Sequence, residues 1–159
     1  MTFPLRNFKH QIPMPNDVGG FGFRRKYDVH TGIDLYCEFM DDVFAIESGE
    51  VIDVVKFTGE HCGLPWWNNT WAVVIKGSSG YILYGELVSL KSVGNQVDEG
   101  DVIGRVIPVL KKDKGVVPSL NMLHVELYET YSEPVTWDLD KEKPSGLMDP
   151  QSLLSASKK

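Results

Sequence analysis

Cysteine is scarce in this chain. Cys37 and Cys62 are the only two among 159 residues, they sit in no C-x-x-C or other paired-thiol zinc spacing, and nothing else marks a disulfide scaffold. Free thiols are the favoured reading. Long apolar runs are also missing. The first twenty residues, MTFPLRNFKHQIPMPNDVGG, hold no continuous apolar stretch of the kind a signal peptide needs, and no later run is long enough to cross a bilayer. The expectation is a chain with no membrane partner, cytoplasmic as synthesised. Clustered positive charge is lacking too: the formal net charge is −6, and the one dense basic group, KKDKG at 111–115, reads as a solvated loop. Phosphate neutralisation needs clustered Lys and Arg, so no nucleic-acid partner is expected. Helical periodicity is weak throughout.

What remains is a β pattern in a chain of one-domain size, 42% hydrophobic and able to bury a core without staples. Residues 41–57, DDVFAIESGEVIDVVKF, read as two strands joined at Ser48-Gly49, and 70–87, TWAVVIKGSSGYILYGEL, as a hairpin turning at GSSG. A further glycine-punctuated signal runs from Val93 to Gly104. In MLHVELYE, 122–129, Leu123, Val125 and Leu127 alternate toward a core, leaving Met122, His124 and Glu126 on the other face. MDPQSLL offers the one helix start, with Asp149 as N-cap and Pro150 at the first helical position. Residues 130–146, with mixed charges and two prolines, read as a long surface loop. The prediction is a mainly β, single-domain antiparallel sheet or sandwich over 20–154, with an arm at 1–19 and a tail at 155–159.

The stretch DVHTGIDLYC, 28–37, carries costly polar groups inside a strand-like run. In an extended segment His30, Gly32 and Asp34 share one side and Ile33 and Leu35 the other, one face for chemistry and one for burial. Zinc accepts imidazole nitrogen and carboxylate oxygen, and a catalytic zinc takes three protein ligands plus one open position. His30 and Asp34 supply two ligands. His124, on the polar face of a later strand, is the best-placed third, whereas His10 and His61 lie in the N-terminal arm and in a Gly/Pro-rich loop and look less anchored.

These residues resemble the lysostaphin-type zinc metallopeptidases, which cut peptide crosslinks in bacterial cell walls. GFGFRRKYDVHTGIDL looks like that family's F-G-x-R segment running into its H-x-G-[IV]-D motif, and VFAIESGEVIDV is similar to its following hairpin. VGNQVDEGDVIGRV matches its V-G-x-x-V-x-x-G-x-x-I-G hairpin, LHVELY the end of its H-L-H-F-E strand, and LMDPQSLL its closing D-P-x-x-x-L. The likeness covers about 20–154 in the right order. It implies the duplicated hybrid motif fold and zinc held by His30, Asp34 and His124.

Two further family histidines are replaced here. One position is Met122, whose thioether is only a weak acceptor. The other, in a Y-x-H-L segment, falls in YGEL at Glu86. A carboxylate can do general-base work, as glutamate does in other zinc peptidases, and can equally close a metal site as a fourth ligand. The resemblance thus implies a zinc-dependent endopeptidase acting on peptidoglycan or a related peptide, with Glu86 as base. The protein would reach a wall by lysis, by a virion or by a separate route. The alternative is an inactive metal-bearing domain that binds cell-wall peptide or a protein partner. Glu126 is a candidate for orienting His124 by a hydrogen bond, or an exposed edge glutamate. In GLPWWNNTW, 63–71, the aromatics and Asn69 suit a groove wall that holds peptide, while Trp71 reads as pointing to the core. Ser119 precedes the His124 strand as a candidate substrate contact.

Overall fold

The computed structural model describes residues 1–111 and 121–159. The KKDKG group beyond Lys111, and Ser119, lie outside the described residues. Strands β1 (Asp28–Val29), β2 (Ile33–Tyr36), β3 (Asp42–Phe44), β4 (Gly49–Thr58), β5 (Thr70–Gly77), β6 (Gly80–Ser89), β7 (Gln96–Val97), β8 (Val102–Val106), β9 (Met122–Tyr128), β10 (Trp137–Asp138) and β11 (Leu147–Met148) precede the α-helix α1 (Gln151–Ala156), and a short 3-10 turn, Glu60–Cys62, lies between β4 and β5. The strand pairings are antiparallel, and the fold is mainly β, as the alternation predicts.

The β5–β6 hairpin forms the centre. Its turn residues Ser78 and Ser79 are held by the buried carboxylate of Glu47, which accepts from both hydroxyls and from the Ser79 amide. Strand β4 pairs beside β5, β9 beside β6, and β2 beside β9. Alternation places Val73, Ile75, Ile82, Tyr84, Leu123, Val125, Ile33 and Leu35 in the main core. Ala72, Val74, Leu83 and Tyr128 point the other way into a smaller cluster with Leu147. The central strands are therefore apolar on both faces. The polar residues His124, Glu126 and Asp34 interrupt that second face at one end.

Four expectations are corrected. The expected hairpin at 93–104 is a corner: β7 pairs with β4, whereas β8 leaves to pair with β3 and β6. Glycine punctuation marks the bends but not which strand each half joins. The segment 130–146 lies at the surface as expected but is not wholly irregular, since it contains β10, which pairs with β1. The arm and tail are part of the body, because Phe3, Leu5 and Phe8 are buried in the main core, and Thr2 bridges to Lys158. Burying such side chains stabilises by about 1.5–3 kcal/mol each, enough to fix a segment with no periodicity. The helix begins one residue later than the sequence suggests: Pro150 is the N-cap and Gln151 the first helical residue, and Asp149 Oδ1 accepts from the Gln151 amide at 2.9 Å from just outside the helix.

Candidate metal centre

Asp34 and His124 are direct cross-strand partners in the β2–β9 ladder and share one face. His30 joins them from the link between β1 and β2, where the single run expected at 28–37 breaks into two short strands with different neighbours. That link lies close to β9 because residue 32 is glycine: a Cβ there would stand 2.3 Å from the Val125 carbonyl oxygen and 2.9 Å from His124 Cε1. Asp34 Oδ1 is 2.7 Å from His124 Nδ1 and 3.2 Å from His30 Nε2, and those two ring nitrogens are 3.2 Å apart.

The outer ring nitrogens decide the chemistry. His30 Nδ1 donates to the Gly20 carbonyl at 2.9 Å, and His124 Nε2 donates to Glu126 Oε1 at 2.9 Å. With those hydrogens committed, His30 Nε2 and His124 Nδ1 turn lone pairs toward each other and toward the Asp34 carboxylate. Such a group repels itself unless a proton or a cation lies among its members. In the metal-free chain the proton serves. Burial disfavours charge on His124, but hydrogen bonds and charges from Asp34 and Glu126 outweigh it and push its pKa up to about 10. Burial likewise works against the Asp34 carboxylate, yet hydrogen bonds with His124 and His30 hold it far below the ordinary range. Two imidazole nitrogens and one carboxylate oxygen within 4.8 Å of one another form a donor set that fits one zinc ion, with outer hydrogen bonds of the usual second-layer kind.

Glu126 is 1% exposed, not an exposed edge residue. Besides His124 it accepts from Thr31 Oγ1 at 2.6 Å and from the Tyr128 hydroxyl, so its carboxylate is fixed from three directions. Thr31 and Tyr128 lie inside the two stretches read as ligand strands, but nothing in the sequence marked either as a partner of Glu126.

Glu86 reaches the site through a bulge. Tyr84 pairs with Val73 and Leu87 with Trp71, so Gly85 and Glu86 together oppose Ala72. Strict alternation from Tyr84 would send Glu86 into the core. The extra residue turns it instead to the face of His124, at the cost of a left-handed backbone with φ 65°. Gly85 pairs with His124 and carries the Phe57 ring, which a Cβ would meet at 2.8 Å. Glu86 lies outside the three-residue ligand group, and its Oε2 accepts from Thr70 and Thr58 Oγ1 at 2.9 and 3.1 Å. Burial is the largest influence on it and pushes its pKa up to about 6, against the opposing pull of His124 and both threonines.

A cleft of about 370 Å³ contains the three ligand residues and Glu86, with Leu64, Trp67, Val109 and Met122 among its apolar walls. Asn68 fastens one wall, donating from Nδ2 to the carbonyls of Pro108 and Leu110. Asn69 does not line the cleft: its side-chain oxygen accepts from the His61 amide at 3.2 Å, tying a turn. Trp71 is half-buried against the edge of His61 and is not a core residue, since the β5 face it shares ends in that turn. His61 is better anchored than its loop suggests, with Nε2 2.6 Å from the Thr58 carbonyl oxygen.

The architecture is similar to that of the catalytic domain of lysostaphin from Staphylococcus simulans, with a TM-score of 0.56 at 18% identity over 87% of this chain and 90% of that one. The chain has the lysostaphin-type peptidase fold. The same fold relates it to a putative peptidase M23 from Pseudomonas aeruginosa, TM-score 0.54 at 14% identity over 99% of this chain. A zinc-containing peptidase from Vibrio cholerae gives 0.55 at 23% identity over 89%. This chain spans 52% of the Pseudomonas chain, 39% of the Vibrio chain and 48% of whole lysostaphin. No family profile and no curated protein sequence matches it. Among the described residues, no helix is long and apolar enough to cross a membrane.

Proposed function

We propose that this lysostaphin-type domain is a zinc-dependent endopeptidase acting on peptidoglycan or a related peptide. The observation that carries the reading is the pair of imidazoles whose outer nitrogens are engaged and whose inner nitrogens converge with Asp34 Oδ1 within 3.2 Å. His30, Asp34 and His124 would hold the ion. When bound, zinc supplies Lewis acidity to a peptide carbonyl and to the attacking water. Glu86, standing outside the ligand group and lining the same cleft, takes a proton from that water at Oε1 and returns it to the leaving amine. Its pKa near 6 in the metal-free chain lies close to the range in which one group both accepts and donates.

The position of Met122 at the cleft favours a second reading, in which the domain binds peptide without cutting it. Incubation of the zinc-loaded protein with crosslinked wall fragments, followed by mass spectrometry, separates the two. The first reading expects new amino termini that are absent with Glu86→Gln, while that variant still holds zinc. Binding without cleavage by the unaltered protein would support the second, and lowered zinc content in Glu86→Gln would make Glu86 a ligand.

A further inference from the structure

Two buried threonines carry hydroxyls where the sheet does not need them. Thr58 and Thr70 close the β4–β5 ladder as direct partners, 6% and 0% exposed, with their Oγ1 atoms 2.7 Å apart. Valine would fill the same space without burying hydroxyls, which cost free energy unless each finds a partner. Their shared partner is one atom. Glu86 Oε2 lies 2.9 Å from Thr70 Oγ1 and 3.1 Å from Thr58 Oγ1, and Thr58 Oγ1 is also 3.2 Å from the Asn68 carbonyl oxygen. Among the described residues Glu86 Oε1 has no hydrogen-bond partner, although the residue is 7% exposed and lines the cleft. The carboxylate is thus anchored by one oxygen and leaves the other free. The charged groups that face it are His124 from β9 and Asp34 from β2.

We infer that Thr58 and Thr70 are positioning residues that hold Glu86 by Oε2 and so direct its proton to Oε1, the oxygen presented to the cleft. The inference rests on the reading of Glu86 as proton carrier. A hydroxyl that donates to Oε2 makes that oxygen the less basic of the two, so an incoming proton goes to Oε1. With the proton on Oε1, Oε2 becomes a carbonyl oxygen and remains an acceptor for the Thr70 hydrogen. The anchor therefore serves both protonation states without any heavy atom moving. It also restrains a side chain that leaves the backbone at a strained φ of 65°.

Infrared difference spectroscopy, protein minus Glu86→Gln, in chelator below pH 6, isolates the protonated Glu86 carbonyl band. Thr70→Val is expected to move that band to higher frequency, because the carbonyl loses a hydrogen bond, and Thr70→Ser to return it. Thr70→Cys, a weaker donor of similar volume, should fall between the two and keeps the test open if the valine variant does not fold. In turnover by the zinc form, Thr70→Val should lower kcat about 10–10²-fold with KM within about twofold, and Thr70→Ser should recover most of it. A band at one frequency in the unaltered chain and all Thr70 variants overturns the inference and leaves Glu86 as base untouched. Full turnover by Glu86→Gln removes the base instead, while a shifted band would keep the anchor.

Discussion

Replacing Glu86 with glutamine in the metal-free protein should make it more stable, and by an amount that depends on pH. Glu86 is 7% exposed, and burial raises its pKa from 4.5 to about 6. A carboxylic acid whose folded pKa is raised holds its proton better when folded. Its contribution is fully present below pH 4.5 and is lost as pH rises through 6. A gap of about 1.5 units corresponds to about 2 kcal/mol once both states are ionised. Glutamine can still accept from Thr70 and carries no charge to desolvate. Urea unfolding of the protein and of Glu86→Gln in chelator, at pH 4 and pH 8, gives the four free energies required. The stability of the variant relative to the protein should rise by about 2 kcal/mol between the two pH values, or roughly 4–8 °C in Tm for a domain of this size. Taking the difference cancels Asp34 and Glu126, whose lowered pKa values act with the opposite sign. A variant-minus-protein difference that is the same at both pH values would refute the claim that Glu86 is desolvated in the folded chain.

Gly32→Ala should cost about 1–3 kcal/mol and weaken zinc binding at least tenfold, measured by chelator competition, because the new methyl meets the Val125 carbonyl and pushes the His30 segment from His124. Phe3→Ala should cost about 3–5 kcal/mol in urea unfolding if the first residues belong to the core, and little if they are a loose arm. Zinc binding near pH 7 should release about one proton, read by calorimetry in buffers of different ionisation enthalpy, because the ion displaces the hydrogen that His124 holds with a pKa near 10.

The strands that carry ligands were the legible part. In β9 the alternation Leu123, Val125, Leu127 set His124 and Glu126 on the opposite face, whereas the close approach that requires glycine at residue 32 was seen only in the structure. The side on which Glu86 lies was not legible from period, because one inserted residue in β6 reverses the alternation after Tyr84. Motif position alone pointed to it. The Thr58–Thr70 pair was hidden for a similar reason: each reads as an ordinary β-branched strand residue, and only the bulge brings the carboxylate to them. Asn69 shows the opposite failure, since a polar residue among aromatics looked like a ligand contact and instead ties a turn through the His61 amide. Corner and hairpin could not be told apart at 93–104 because both need glycine at the bends, and the pairing of β7 and β8 depends on strands far away in sequence.

The convergence of His30, Asp34 and His124 on one ion is tested most directly by equilibrium zinc binding with elemental analysis, on the protein and on His30→Ala. One zinc per chain, abolished or weakened by more than about a hundredfold in the variant, is the predicted result. A protein that takes up no zinc from a metal-buffered solution, or a variant that binds it equally well, would contradict the account.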